Sequence, residues 1–165
     1  YRYYSTKNVA AAYDFGHGLS YTNFAYSNLK LGSKSFSGSM TVGVSVKNVG
    51  KVEGREVAQD YVSAPAGSLA KPLKELRAFA KTRSLKPGEN HILNFSLAAR
   101  DLASFDPSRS AWIASPGKYC VHIGASSTRI EQTGCFELAA EVVVEKVNPV
   151  LKPRVNLVER SFGKQ

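Results

Sequence analysis

Acidic side chains are scarce in this chain of 165 residues: 13 Asp and Glu stand against 22 Lys and Arg, a net charge of +9 with histidine neutral. Glycosidase-type chemistry needs two carboxylates acting as acid and base or nucleophile, and no such pair stands out. Asp101 and Asp106 read as turn or cap residues, Asp60 reads as an exposed strand position, and Asp14 has no recognisable carboxylate partner. Histidine is equally thin. His17, His91 and His122 lie far apart with no second His or Cys at ligand spacing, which argues against zinc. Gly16-His17-Gly18 is too short for a phosphate cradle and lacks a following Lys-Ser or Lys-Thr. No window approaches the roughly 18 consecutive apolar residues of a membrane-spanning helix. Tyr1-Arg2-Tyr3-Tyr4 holds neither an initiator Met nor an apolar leader, so the chain reads as a piece of something longer, and the missing leader says nothing of compartment. No metal, no cofactor and no catalysis of its own are expected.

What is present is a globular composition, 43% hydrophobic and 21% charged, at a length that suits one compact domain. The basic excess raises the question of nucleic acid. Its densest stretch, Lys71, Lys74, Arg77, Lys81, Arg83 and Lys86, is interrupted by Glu75 and mixes odd with even positions. On a strand that spacing sends charge to both faces, which describes a solvated edge that resists strand aggregation rather than a nucleic-acid groove.

The dominant period is two. Met40, Val42, Val44 and Val46 alternate with small or polar residues from Ser39 to Asn48 and predict a half-buried strand. Arg55 to Ser63, Ile92 to Leu97 and Tyr119 to Ile123 repeat the pattern, Lys74 to Leu85 reads as a further strand because Pro72 interrupts a competing helix, and Trp112 opens another. Asn48-Val49-Gly50-Lys51, Lys86-Pro87-Gly88-Glu89 and Ser115-Pro116-Gly117-Lys118 are turns, Pro presetting φ and Gly supplying a positive one. Residues 98–114 predict a crossover loop with at most a short helical turn. Alternation continues weakly from Val142 to Val147, then Asn148-Pro149 and Lys152-Pro153 suggest an extended tail. Short strands separated by turns predict an all-β, immunoglobulin-like antiparallel sandwich. Cys120 and Cys135 are spaced for a hairpin around Ser126-Ser127-Thr128-Arg129, one on each strand; a disulfide and two half-buried thiols fit equally.

Tyr1-Arg2-Tyr3-Tyr4 with Phe15-Gly16-His17-Gly18-Leu19-Ser20-Tyr21-Thr22 and Phe24 resembles the linker of glycoside hydrolase family three enzymes, the β-glucosidase and β-xylosidase group. The resemblance continues through Val46-Lys47-Asn48-Val49-Gly50, Gly54-Arg55-Glu56-Val57-Ala58-Gln59, Lys71-Pro72-Leu73-Lys74-Glu75-Leu76, Leu85-Lys86-Pro87-Gly88-Glu89, Arg100-Asp101-Leu102 and Pro116-Gly117-Lys118-Tyr119 with Gly124-Ala125-Ser126-Ser127, to about residue 138. It implies the C-terminal fibronectin type III-like domain of such an enzyme: an extended linker over 1–23, a sandwich over 24–138 and an extension over 139–165. In the family an aspartate on an N-terminal barrel is the nucleophile and a glutamate on the following α/β domain is usually the acid/base. Both would precede this chain, so no catalytic residue carries over. Ser5, Tyr13-Asp14 and Asp60 depart from the family's usual acidic, apolar-proline and apolar residues.

The implied role is structural, in a parent that removes terminal sugars from β-linked glycosides by a retaining mechanism. The aromatic entry is too apolar for a bare tether, and Tyr1, Arg2, Tyr3, Tyr4, Phe15, Gly16, His17, Gly18 and Tyr21 are the candidate contacts with the preceding catalytic domains, whereas Phe24 and Tyr26 are expected to cover the domain's own core. A polysaccharide- or cell-wall-binding module is the alternative, opposed by the single Trp112, which is expected inside the sandwich. The family points to secretion or the periplasm, which a Cys120–Cys135 bond would fit.

Overall fold

The computed structural model describes residues 1–67, 69–148, 150 and 155. Its elements run α1 (Arg2–Lys7), β1 (Phe24–Leu31), β2 (Ser39–Asn48), β3 (Val57–Ser63), β4 (Glu75–Lys81), β5 (Asn90–Ala98), α2 (Ala99–Leu102), β6 (Ser104–Asp106), β7 (Ala111–Ala114), β8 (Gly117–Gly124), β9 (Ile130–Leu138) and β10 (Val142–Lys146). Two antiparallel sheets, ordered β1-β2-β5 and β4-β3-β8-β9, form the sandwich, with β1 meeting β9 and β4 meeting β5 along its edges. A third sheet, β10-β7-β6, packs with α2.

The period of two decides what is buried. Met40, Val42, Val44 and Val46 of β2 and Leu93, Phe95 and Leu97 of β5 point into the core with Phe24 and Tyr26 of β1. Ala58 and Val62 of β3, Tyr119, Val121 and Ile123 of β8 and Phe136 and Leu138 of β9 meet them from the other sheet. Each large side chain so buried contributes roughly 1.5–3 kcal/mol. The Lys86–Glu89 turn forms as its residues require, Gly88 standing at φ 86° and the Glu89 N–H donating to the Lys86 carbonyl at 3.0 Å.

Asn48, fully buried at the end of β2, ties three segments together. Its amide nitrogen donates to the Val52 and Leu85 carbonyls, each at 2.8 Å. Its amide oxygen accepts from the Thr22 hydroxyl at 2.7 Å and the Gly50 N–H at 3.0 Å. Gly50 lies so close beneath the chain that a Cβ there would stand 2.1 Å from Thr22 Oγ1, which accounts for glycine at this turn.

Four expectations need correction. Asp60 is not at an exposed position: it is wholly buried, because it shares the inward phase of Ala58 and Val62 on a strand covered on both faces. The entry segment is not extended throughout, since residues 2–7 make the helix α1. The crossover contains the strand β6 beside its short helix, held by pairing with β7. β4 stops at Lys81 rather than Leu85, whose backbone instead bridges Gly54. As expected, Asp101 accepts from the Ala98 N–H at 2.8 Å and Asp106 from the Ser108 N–H at 2.9 Å. Val142–Lys146 joins the third sheet by pairing with β7, while Pro149, Lys152 and Pro153 of the expected tail lie outside the described residues.

Replacing Asn48 with Ala strands four buried or half-buried partners. We expect Asn48→Ala to lower stability by about 3 kcal/mol, read from the midpoint of urea unfolding at unchanged m-value.

Candidate functional site

The segment from Tyr1 to Asn23 crosses the outer face of the β4-β3-β8-β9 sheet and is latched to it at several points. At one end, the Tyr1 hydroxyl accepts from the Leu76 N–H at 2.7 Å and the Thr6 hydroxyl accepts from the Leu73 N–H at 2.9 Å. Arg2 pairs with Glu75 at 3.1 Å, and Glu75 also pairs with Arg77 at 2.6 Å. At the other end, the Phe15 carbonyl accepts from the Ser127 N–H at 2.8 Å, and the Thr128 hydroxyl donates to the Asp14 carboxylate. The Tyr1 and Phe15 rings stack 4.5 Å apart, so the segment folds back on itself.

The seat of this strap is Gln59 and Tyr61, which point outward from β3 and are nevertheless buried. Gln59 donates through one nitrogen to the carbonyls of Gly16 at 3.1 Å and Ala125 at 2.7 Å, while its oxygen accepts from the Tyr61 hydroxyl at 2.5 Å. The Tyr61 ring meets Tyr1 edge-on at 5.8 Å and carries the Lys74 ammonium 5.8 Å from its centroid. Burial pulls the Lys74 pKa down and pushes the Tyr61 phenol up. Gly16 stands at φ 80° directly over Gln59, where a Cβ would lie 2.1 Å from the amide oxygen.

Of the candidate contacts, Tyr1, Arg2, Phe15 and Gly16 thus touch the domain's own sheet. Tyr3 and Tyr4 are about half exposed on α1, and His17, with Gly18, stands exposed near the Tyr13 ring at 5.7 Å. Tyr13, Leu19 and Tyr21 are 79%, 93% and 101% exposed. A cleft of about 920 Å³ opens between α1, the following Asn8–Phe15 loop and Ser127–Thr128. The sequence reading missed Tyr61, Lys74 and Thr128 as seats of the strap; an aromatic in the outward phase of a strand, with Lys74 nearby, was the available signal.

His122 is half-buried on the same outer face, hydrogen-bonded with Ser63 at 2.9 Å and Thr133 at 3.2 Å, and burial together with Lys74 lowers its pKa. Beside it Cys120 and Cys135 face each other in register on β8 and β9 and form a disulfide, with Cα atoms 4.1 Å apart. Trp112 is not enclosed in the sandwich: it is half-buried on β7, with the Arg100 guanidinium 4.2 Å from its ring centre and Phe105 at 5.6 Å. Among the described residues no cluster of three or more His, Cys, Asp or Glu could hold a metal, and no helix is long and apolar enough to cross a membrane.

A two-sheet antiparallel sandwich strapped across one face is the architecture of a fibronectin type III-like module, and residues 56–127 match the fibronectin type III-like domain family. Over 139 residues the chain is 40% identical to β-glucosidase BoGH3A of Bacteroides ovatus, an alignment covering 83% of this chain and 18% of that protein. It is 41% identical over 148 residues to thermostable β-glucosidase B of Acetivibrio thermocellus, covering 88% and 20%. The solved structure of β-glucosidase 3B from Thermotoga neapolitana in complex with α-D-glucose superimposes with a TM-score of 0.81 at 42% identity, over 86% of this chain and 19% of that one. The chain belongs to the fibronectin type III-like domains of glycoside hydrolase family three enzymes and spans about one-fifth the length of these relatives.

Two variants test the site. Gly16→Ala forces both the backbone and Gln59 to shift; we expect about 2 kcal/mol lost from strap docking, seen as faster hydrogen exchange at the Ser127 and Leu76 amides with the core amides unchanged. Opening the disulfide releases a loop of 15 residues. The Cys120→Ser, Cys135→Ser double variant is expected to unfold with about 3 kcal/mol less stability in guanidinium titration.

Proposed function

We propose that this chain is the non-catalytic C-terminal accessory domain of a family-three glycoside hydrolase whose whole form hydrolyses terminal β-linked O-glycosides by a retaining mechanism. The observation that carries the reading is the division of labour in the strap. Tyr1, Phe15 and Gly16 lock it to the sandwich, while Tyr13, at the rim of an open cleft, and Leu19 and Tyr21 further along stand in solvent. Apolar side chains held out on an anchored backbone are the mark of an interface, and the partner that fits is the remainder of the parent chain, the catalytic domains that make up most of the relatives' length. The module braces their arrangement. The Cys120–Cys135 bond supports secretion or a periplasmic location for the parent.

Hydrolysis of aryl β-glucoside and β-xyloside tests the reading when measured on this chain, on the parent and on the parent truncated just before Tyr1. The chain is expected to be inert and the truncated parent to lose folding or turnover. Activity in the chain alone refutes the proposal; truncation that spares soluble substrates but weakens attack on polymer replaces it with a glycan-binding role. Leu19→Ala with Tyr21→Ala is expected to change the isolated chain by no more than about 0.5 kcal/mol and to lower the melting temperature of the parent.

A further inference from the structure

Asp60 occupies the middle of β3, opposite Ala78 of β4 and Ile123 of β8, and has no solvent exposure. Neither carboxyl oxygen has a hydrogen-bond donor. The residues pointing into the core around it are apolar on β2, β5 and β9, and on β8 the one titratable group is Tyr119, whose hydroxyl donates to the Ser115 carbonyl at 2.8 Å. On β1 the Tyr26 hydroxyl is buried without a partner. On α2 the carboxylate of Asp101 adds a like charge and no donor. On β4 the register shifts between Asp60 and Tyr61, where Arg77 is the extra residue. Arg77 is engaged by Glu75, yet its Nε is buried with no partner.

We propose that Asp60 is a proton-operated element of the fold, neutral in the closed sandwich, whose ionisation loosens the β3–β4 pairing on which the N-terminal strap is seated. A carboxylate sealed away from donors and water is the costlier form, so the closed state holds the proton. When the proton leaves for solvent, the anion must find a donor. The cationic donor at the same bulge is Arg77, and drawing it inward takes it from Glu75, the residue that also holds Arg2 of the strap. Leu76, whose N–H donates to Tyr1, is its neighbour in sequence. The module is therefore tightest in acid and loosens toward neutral pH, whatever enzyme carries it.

The sign follows from linkage. The Asp60 pKa is raised from 3.8 to about 7 in the fold, by burial first and by Asp101 second. Its stabilising protonation is complete below about 3.8 and is lost as pH rises through about 7, with the folding constant falling by up to roughly tenfold per pH unit in between. Urea unfolding of this chain between pH 4 and 8 is expected to show that fall in the wild type and its absence in Asp60→Asn. Equal slopes in the two proteins overturn the proposal. Should Asp60→Asn fail to fold, the carboxyl ¹³C shift of Asp60 in the wild type decides: a midpoint near 7 supports the assignment and one near 3.8 overturns it. Hydrogen exchange at Leu76, corrected for the intrinsic pH dependence, is expected to lose protection across the same window in the wild type alone; protection that does not change overturns the link to the strap.

Discussion

The structure depends on a strand that is buried on both of its faces. Antiparallel sheets commonly turn one face to water, with polar residues in the outward phase, but β3 places Gln59 and Tyr61 in that phase and hides them. A buried phenol and a buried amide need partners, and the strap supplies them: the Gly16 carbonyl for Gln59, the Tyr1 ring for Tyr61. The strap is thus a third layer over the sheet. Its other edge, with Leu19 and Tyr21, is left to face outward because Gln59 and Ser127 fix where the backbone must run.

Two buried polar residues on strands of opposite sheets show opposite solutions to the same problem. Asn48 has its oxygen and its nitrogen each engaged twice, and Thr22, the Gly50–Val52 turn and Leu85 are gathered by those bonds. A satisfied buried amide of this kind rigidifies and specifies one arrangement. Asp60 has no bond at all, and it lies where the ladder between β3 and β4 is already broken by a register shift. One residue makes the closed fold unique; the other makes it conditional.

Much of this was legible before any coordinates. The alternation of Met40 to Val46 predicts β2 to the residue, and the Pro-Gly turn at 87–88 forms where its φ preferences place it. Phe24 and Tyr26 lie in the core as their position at the head of β1 implies. What escaped the reading was decided by non-local partners. The three-residue strand β6 exists only because β7 pairs with it, and Trp112 stays at the surface because Arg100 and Phe105 cover its ring there. Asp60 was misread because charge argues for exposure, whereas its phase on β3, shared with Ala58 and Val62, argues for burial; here the period outweighed the residue type. The contacts of Gln59 with Gly16 of the strap and with Ala125 span 43 and 66 residues in sequence, a distance over which periodicity carries no information.

The basic excess has little part in holding any of this together. The described ion pairs are Arg2–Glu75, Arg77–Glu75, Arg83–Glu89, Arg100–Glu145, Arg109–Glu141 and Arg129–Glu131, and in most of them both side chains are well exposed. Such pairs contribute little to stability because water screens them. Several residues of the basic stretch are also committed locally: Lys71 to Ser115, Lys74 to the Tyr61 ring, Arg77 to Glu75, Arg83 to Glu89. On the strap, by contrast, the large hydrophobic side chains of Tyr13, Leu19 and Tyr21 stand exposed. An interface built on those side chains, as the proposed bracing role requires, gains from removing them from water, a contribution that added salt does not screen.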